Sequence, residues 1–374
     1  MNARTAPVAV SLALALALAA GACGSSISHE VARDKQIDKD IAAVVATGVP
    51  GATLLVRDGG STNKVAYGVA ETTSKAQLNV DDRFRIGSLA KTYVSVVMLQ
   101  LVDEKKLGLD DSIEKFVPGM VPNGAKITVR QLLNHTSGIP NYEEHPSYMA
   151  PYMAGDLAHV TTPAQLVAMG TSFGSWFAPG TSSRYSNTNY TIAGLIIEKV
   201  TGSTLGAQLD QRIFKPLKLD STSLPTTPEI TGAHAHGYFV MGPQGAMDVT
   251  NFSPSIAWAG GGIVSTTTDV AAFYRALLEG RLLPPELMRQ MMTTVVDDKN
   301  GLVYGLGIEK KELPCGTAWG HQGNFPGYFM EAFSTADAGK QITTAYNLDS
   351  TSMDSAQGEA TLKLRTDAFC GVKP

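Results

Sequence analysis

The segment Phe84-Arg85-Ile86-Gly87-Ser88-Leu89-Ala90-Lys91-Thr92 places a hydroxyl and an amine three residues apart, where a strand is expected to end and an apolar helix to begin. Side chains at positions i and i+3 of a helix share one face, so Ser88 and Lys91 can touch. A serine hydroxyl is a poor nucleophile at neutral pH and needs an adjacent base. Lys91 can be that base if burial brings its pKa from about 10.4 down to about 7–8. The segment therefore predicts an activated serine.

The Ser-x-x-Lys spacing also occurs at Ser61/Lys64 and Ser112/Lys115, and a chance match is expected in a chain of this length. Ser61 lies in a Gly-Gly-Ser-Thr-Asn turn, and Ser112 is interpreted as a helix start with Lys115 in solvent. Only Ser88 has a glycine before it and an apolar helical pattern behind it, formed by Leu89, Tyr93, Val96, Val97 and Leu101.

The composition favours a globular chain that acts on small molecules. The 374 residues are 44% hydrophobic and 17% charged, with 30 Lys+Arg against 34 Asp+Glu. No basic stripe is visible, which argues against nucleic acid as a partner. His234 and His236 have no cluster of carboxylates or cysteines nearby, so we expect no metal site, and we expect no cofactor. We expect a monomer.

The N-terminus has the pattern of an export signal. Arg4 precedes an apolar stretch over residues 8–20, and Ala20-Gly21-Ala22 fits a cleavage site, so residues 1–22 are predicted to be a signal peptide. Cys23 follows in a context similar to a bacterial lipoprotein box, so lipidation at the membrane and simple secretion both stay open. Residues 23–35 are interpreted as a polar tether. We therefore predict an exported protein.

The two remaining cysteines, Cys315 and Cys370, would reach an oxidising compartment after export. Two buried thiols are the alternative to a disulfide. We favour the disulfide, which would fasten the C-terminal segment to the body of the protein.

Strand and helix patterns divide the chain into three stretches. An N-terminal hairpin is predicted over residues 51–57 and 64–70, and a second one over 327–334 and 341–347. Between them, helices are predicted at 128–134, 163–169, 191–200 and 269–278, and a last helix at about 353–369. We predict an α/β (α+β) fold in a single domain, residues 36–374. Residues 36–90 and 225–374 would form the α/β lobe, and residues 91–224 a mostly helical lobe.

Two further tripeptides carry side chains that suit a site beside Ser88. Tyr185-Ser186-Asn187 is the only Tyr-x-Asn among 12 tyrosines. A phenol near an ammonium is drawn toward the phenolate form and can exchange a proton with Lys91. Asn187 offers a donor and an acceptor to a substrate amide.

The second tripeptide, His321-Gln322-Gly323, is the only His-x-Gly among seven histidines. Gly323 would let a ligand approach the backbone closely. His135 also suggests a catalytic histidine, but its position at a helix end before Thr-Ser-Gly favours a structural loop anchor.

Together these motifs resemble the penicillin-recognising serine enzymes, in the branch with Tyr-x-Asn and His-x-Gly: serine D-alanyl-D-alanine carboxypeptidases, class C β-lactamases and related esterases. Residues 132–138, 213–217 and 259–262 resemble further segments of that family, so the resemblance covers nearly all of the mature chain. It implies a β-lactamase/transpeptidase-like fold, with an antiparallel sheet flanked by helices and a mostly helical lobe.

The resemblance implies a role for each motif residue. Ser88 would be the acylated nucleophile, and Lys91 and Tyr185 would move its proton, with either one as the base. Asn187 would hold the amide side chain of the substrate, and His321 would stand beside the leaving group or Tyr185.

The resemblance also supplies the walls of the site. The main-chain N–H groups of Ser88 and Asn324 would form an oxyanion hole, and Trp258 would wall the cleft. Carboxypeptidases of this type bind a terminal carboxylate with hydroxyls after the histidine and with an arginine on the preceding strand. Here those hydroxyl positions are Gln322 and Asn324, and the strand has no arginine, although Lys310 or Lys311 could compensate.

The leading hypothesis is an exported acyl-serine hydrolase of the D-alanyl-D-alanine carboxypeptidase type, acting on D-alanyl peptides. The first alternative is a β-lactamase or esterase of the same fold, favoured by the missing carboxylate clamp. The second is a penicillin-binding or cell-wall sensor that never releases its acyl group.

Overall fold

Alternating apolar residues build an eight-stranded antiparallel sheet with helices on both faces. It is seen in a computed structural model that describes residue 1 and residues 23–240 and 245–371, with the backbone alone for residues 23–34. The strands are β1 (Gly51–Asp58), β2 (Ser61–Gly68), β3 (Phe84–Arg85), β4 (Tyr238–Val240), β5 (Ala246–Asp248), β6 (Val264–Ser265), β7 (Val295–Val296), β8 (Val303–Tyr304), β9 (Glu309–Leu313), β10 (Gly316–Phe325), β11 (Tyr328–Ser334) and β12 (Lys340–Tyr346).

Helices fill most of the middle of the chain. The α-helices are α1 (Cys23–Ala46), α2 (Ala90–Asp103), α3 (Val129–Leu133), α4 (Ala150–Met153), α5 (Pro163–Thr171), α6 (Asn187–Thr201), α7 (Leu205–Leu209), α8 (Lys215–Leu217), α9 (Thr267–Leu278), α10 (Pro285–Met291) and α11 (Ser355–Cys370). Shorter 3₁₀ turns include Gly87–Leu89, Ile113–Lys115, Gly124–Lys126, Tyr142–Glu144, Pro254–Ile256, Trp258–Gly260 and Ser350–Ser352, and a π-helical turn covers Asp210–Phe214.

The large sheet has the strand order β2-β1-β12-β11-β10-β9-β8-β7, so the first and last parts of the chain meet in its centre. Every second residue of β1 points to one face, where Ala52, Leu54 and Val56 pack with α1 and α11. The opposite face packs on the larger core around α2, which includes Met330 and Ala332 of β11. The predicted antiparallel sheet flanked by helices is confirmed, and β10 faces the start of α2.

Most predicted helix ends are confirmed by their caps. Thr128 and Thr162 each close a capping box with the glutamine three residues later, and Gly202 ends α6 in a left-handed conformation. The prediction that α5 stops at Gly170 was wrong, since α5 continues to Thr171. A Cβ on Gly170 would lie 2.3 Å from Thr188 Oγ1, so this glycine lets α5 pack closely on α6.

The described residues cover only part of the chain to which the predicted signal peptide, tether and lobes belong. Residues 2–22 of the predicted signal peptide lie outside the described residues, and the predicted tether coincides with the first turns of α1. Among the described helices, none combines the length and apolar character that a membrane span requires. Residues 91–224 contain helices and no strand of the three sheets, while the division into two lobes stays a prediction. Cys315 and Cys370 are paired as a disulfide, with Cα atoms 5.3 Å apart.

Candidate active site

Two glycines hold Ser88 against strand β10. The chain leaves β3 at Arg85 and turns through Gly87–Leu89 into α2. Gly87 has φ +52°, and a Cβ there would lie 2.4 Å from Asn324 O. A Cβ on Gly323 would lie 2.1 Å from Ile86 O and 2.7 Å from Ser88 N. Gly323 was predicted to admit a ligand, but the protein's own backbone takes the space of a Cβ, so this glycine positions the serine.

Lys91 lies behind Ser88 and is completely buried. Its Nζ donates to Ser88 Oγ at 2.8 Å and to Gly260 O at 2.7 Å. Burial lowers the pKa of Lys91 to about 7, and the carboxylates of Glu143 and Glu309 oppose that fall. An amine whose pKa lies near neutrality can accept the serine proton, so the geometry that the Ser-x-x-Lys spacing predicts is present.

Tyr185 completes a cluster with Ser88 and Lys91. Its ring centroid is 5.0 Å from Lys91 Nζ. Its backbone N donates to Asp297 Oδ2 at 2.6 Å, and the ring of His135 lies 4.3 Å from its own. Burial raises the pKa of Tyr185 well above its usual value, although a hydrogen bond with Ser88 opposes the rise. The expected pull toward phenolate is therefore corrected: desolvation has the largest effect on this pKa and favours the protonated phenol.

His321 is buried on β10 and contacts residues of β8 and β9. Its Nε2 lies 2.9 Å from Tyr304 Oη, and its Nδ1 lies 2.5 Å from Gln322 O and 3.1 Å from Glu309 Oε1. Burial lowers the pKa of His321 to about 3, so the imidazole is neutral. It was expected beside the leaving group or Tyr185. It lines the same cavity as Tyr185, and the ring of its partner Tyr304 is 5.8 Å from that of Tyr185.

Asn187 lies at the first turn of α6, near Lys91. A Cβ at Gly260 would lie 3.6 Å from Lys91 Nζ and 3.7 Å from Asn187 Oδ1, so the two side chains share one neighbourhood. The backbone N of Asn187 donates to Asn141 Oδ1 at 3.2 Å. Asn141 also donates to the carboxylate of the exposed Glu143 at 3.2 Å. Asn187 therefore lies within a polar rim beside the nucleophile.

The predicted substitutes for a carboxylate clamp are already engaged. The amide of Asn324 donates to Asp349 Oδ2 at 2.7 Å and accepts from Ser350 N at 2.8 Å, so its side chain is not free for a substrate. Lys311 Nζ donates to Gln322 Oε1 at 3.3 Å, and Lys310 pairs with Glu312 at 2.9 Å. The suggestion that a lysine compensates for the missing arginine is not supported.

Trp258 was expected to wall the cleft, and this is also corrected. The residue does not line the cavity beside Ser88. Its ring packs on α6 instead, where a Cβ at Gly194 would lie 2.8 Å from the ring. The absence of a side chain on Gly194 opens the space that the indole fills.

A cavity of about 450 Å³ opens beside the nucleophile. Its lining consists of Ser88, Tyr185, Asn300, Leu302, Glu309, His321, Gln322, Gly323, Asn324, Phe329 and Ser350. Sequence patterns did not single out the acids near this site, which include Glu309 in the lining, Asp297 behind Tyr185 and Glu143 near Lys91. None of them belongs to a motif, so no sequence signal distinguished it from a surface residue.

Several known proteins are similar to this chain in sequence and in fold. A D-stereospecific amidohydrolase from Streptomyces sp. superposes with a TM-score of 0.82 at 39% identity, covering 90% of this chain and 98% of that one. A D-amino acid amidase from Ochrobactrum anthropi gives 0.80 at 27% identity, covering 89% and 97%. Penicillin-binding protein 4 of Amycolatopsis lactamdurans is 30% identical over 69% of this chain and 70% of its own length.

Penicillin-binding protein 4* of Bacillus subtilis is 27% identical over 74% of this chain and 63% of its own length, so the match spans somewhat less than two thirds of that relative. The family model described as Beta-lactamase matches residues 37–366, which is most of the sequence. The chain therefore belongs to the beta-lactamase family, whose members with this fold are penicillin-recognising serine hydrolases.

Proposed function

We propose that the protein hydrolyses amides of D-amino acids, including short D-aminoacyl peptides, through an acyl-Ser88 intermediate. The observation that carries the proposal is Lys91 Nζ, buried 2.8 Å from Ser88 Oγ, beside a cavity whose lining contains an acid and no lysine or arginine. The first feature supports acyl transfer to serine. The second supports a substrate without a terminal carboxylate.

In the proposed acylation, neutral Lys91 takes the proton from Ser88 Oγ as the oxygen attacks the substrate carbonyl. The main-chain N–H groups of Ser88 and Asn324 would receive the developing oxyanion. Losing one such donor typically costs about 3 kcal/mol of transition-state stabilisation. The close packing of residues 87–88 on 323–324 supports this assignment, because it brings the backbone N atoms of Ser88 and Asn324 into one neighbourhood.

The leaving amine must gain a proton as the C–N bond breaks. Tyr185, held protonated by burial and hydrogen-bonded to Ser88, would donate it and recover a proton from the Lys91 ammonium. Water would then attack the acyl-enzyme, lose a proton to the same pair and release the acid with Ser88 restored. His321, as a neutral imidazole, would position the side of the cavity that contains Tyr185 through its contact with Tyr304.

The proposed preference for amides over peptides that end in a free carboxylate depends on the charge of the cavity. A terminal carboxylate in this cavity would meet Glu309, and the described lining contains no lysine or arginine. Lys310 pairs with Glu312, and Lys311 reaches the lining only as a donor to Gln322. Amide groups bind a carboxylate less strongly than an arginine fork does. The likeness to a D-stereospecific amidohydrolase over 90% of the chain supports the same choice.

The D-alanyl-D-alanine carboxypeptidase of the leading sequence hypothesis remains the second candidate, because two relatives are penicillin-binding proteins. A β-lactamase or esterase activity would use the same acyl-Ser88. A sensor would form the acyl-serine and would not hydrolyse it. Lys91 and Tyr185 both lie beside Ser88, and this favours an enzyme that completes the reaction cycle.

A substrate panel distinguishes these functions. Wild-type protein is assayed with D- and L-alaninamide, an acyl-D-Ala-D-Ala peptide, nitrocefin and a nitrophenyl ester. We expect D-alaninamide to be cleaved faster than L-alaninamide and faster than the acyl-D-Ala-D-Ala peptide. Ser88→Ala should lose all activities, whereas Ser61→Ala, at another Ser-x-x-Lys, should keep them. Faster cleavage of the acyl-D-Ala-D-Ala peptide would contradict the proposal and select the carboxypeptidase.

We also propose export, with residues 1–22 removed and Cys23 either acylated or left as the N-terminal residue. The supporting observations are the sequence pattern of residues 4–22 and the pairing of Cys315 with Cys370, which suits an oxidising compartment. Intact mass spectrometry of protein from an export-competent bacterial host tests this. A mass corresponding to the uncleaved chain would contradict it.

A further inference from the structure

Glu309 is a buried acid that the proposed chemistry does not use. Only 2% of its surface is exposed, and it lines the cavity beside Ser88. Its Oε1 accepts from Gln322 N at 3.3 Å and lies 3.1 Å from His321 Nδ1. Its Oε2 is buried and has no hydrogen-bond partner among the described residues. Buried polar atoms are nearly always satisfied, so an orphaned carboxylate oxygen at a cavity wall points to a missing donor.

No cation of the described chain supplies that donor. Lys311 Nζ is directed to Gln322 Oε1 at 3.3 Å and to Glu331 at 3.8 Å. Lys91 Nζ is held by Ser88 and Gly260. Burial raises the pKa of Glu309 to about 7, and the charge on Lys311 opposes the rise. The acid is thus held in the wall of the cavity without an ion pair, although buried acids are usually paired.

Glu309 is linked to Tyr185 by two intervening side chains. Tyr185, the proposed proton donor to the leaving amine, packs edge-on against Tyr304, and Tyr304 Oη lies 2.9 Å from His321 Nε2. His321 in turn contacts Glu309. Asn187, the expected partner of the acyl part, is not among the residues that line the described cavity. A leaving group that receives its proton from Tyr185 therefore extends along the wall that contains Glu309.

We infer that Glu309 is a specificity-determining residue that binds an N–H donor of the leaving group, a carboxamide or an amino group, and rejects a leaving group that ends in a carboxylate. This inference deepens the proposed function and rests on it. An incoming donor would satisfy Oε2, whereas a second carboxylate would meet a like charge in a site with little solvent. Glu309 would thus set the preference for the leaving group from the place where a carboxypeptidase would need a cation.

The same wall would select acyl acceptors. After the first amine departs, an amine R–NH₂ can occupy its place and attack the acyl-Ser88 carbonyl. The new C–N bond forms as the ester C–O bond breaks, one proton of the amine returns to Ser88 Oγ through Lys91 and Tyr185, and the product is a new amide. Acceptors with an N–H group near the reacting amine, such as glycinamide, should be favoured over glycine, which carries a carboxylate there.

The experiment measures partition of the acyl-enzyme. D-alanine methyl ester serves as donor, glycinamide and glycine compete as acceptors at equal concentration, and the two dipeptide products are quantified by mass spectrometry. The product ratio in Glu309→Gln is divided by the ratio in wild type, so the intrinsic nucleophilicity of each acceptor cancels. At about pH 9, where Glu309 with a pKa of about 7 is ionised, we expect the glycinamide preference to fall by at least about tenfold in Glu309→Gln, because removal of the charge abolishes the repulsion.

Glu312→Gln, a neighbouring exposed acid on β9, is the matched control and should leave the ratio unchanged. Thermal melting checks that Glu309→Gln is folded. If that variant does not fold, Glu309→Asp, which keeps the charge, is compared with wild type at raised glycine concentration and should still discriminate against glycine.

An unchanged ratio in a folded Glu309→Gln variant that still forms the acyl-enzyme would overturn the inference and leave the proposed function standing. A wild-type protein that forms no acyl-enzyme with the ester would overturn the proposed function and this inference with it.

Discussion

The state of the Lys91 amine gives the sharpest prediction. With a pKa of about 7, about half of the Lys91 side chains are neutral at pH 7. With the ordinary pKa of 10.5, only about one in 3,000 would be neutral at that pH. Burial therefore raises the concentration of the active base by roughly a thousandfold. Lys91 can act as a base only when its amine is neutral. The neutral form therefore predominates above the pKa and is lost as the pH falls through the pKa.

The assay is the rate of Ser88 acylation by a nitrophenyl ester, measured by stopped flow from about pH 5 to about pH 9, the range that brackets a base of this kind. We expect the rate to rise with pH and to level off above about pH 7. Lys91→Met, which keeps the length of the side chain and removes the base, should lose roughly 10²–10⁴-fold in rate and lose the pH dependence as well. Lys64→Met, at another Ser-x-x-Lys, is the matched control.

Two results would refute this reasoning. One is a wild-type rate that is still rising steeply at about pH 9, because Lys91 would then keep its ordinary pKa. The other is a Lys91→Met variant with near wild-type acylation, because the base would then lie elsewhere.

Three further predictions concern neighbouring features. Tyr185→Phe should slow acylation by an amide roughly 10²–10⁴-fold and acylation by an ester with a good leaving group much less; equal losses would argue against proton donation to the leaving group. Gly87→Ala should lower the free energy of unfolding by more than about 1 kcal/mol, read from urea melts, because φ +52° and contact with Asn324 O leave no room for a Cβ; an unchanged midpoint would contradict the described turn. Reduction of Cys315–Cys370 should cost up to about 4 kcal/mol for its sequence separation of 55, with a lower melting temperature; an unaffected melting temperature in reductant would mean that the bond does not form or does not constrain the unfolded chain.

Local patterns predicted the nucleophile well. Ser88 and Lys91 are one helical turn apart, so their contact depends on a single helix that the apolar spacing already indicated. Tyr185 was found through its motif and lies within the same cluster. The cap residues Thr128 and Thr162 and the terminal glycine of α6 fixed helix ends for the same reason, since each acts on its own neighbours.

Tertiary packing determines what the sequence could not predict. His321 is on β10 and Tyr304 on β8, so their 2.9 Å contact follows from the order and register of strands that are far apart in the chain. Trp258 packs on Gly194 because of a missing side chain on another element. The direction of the Tyr185 pKa depends on how completely the phenol is desolvated. Nothing in the sequence distinguishes Glu309, because its significance comes from one buried oxygen, Oε2, that has no hydrogen-bond partner among the described residues.

Mapping the covalent adduct tests the central claim most directly. Wild-type protein is quenched during turnover of D-alanine methyl ester, and separately after exposure to a labelled penicillin, and its peptides are sequenced by mass spectrometry. We expect a single acyl group on Ser88 in the wild-type protein and none in the Ser88→Ala variant. Turnover of the ester with Ser88 unmodified, or an adduct on Ser61 or Ser112 instead, would contradict it.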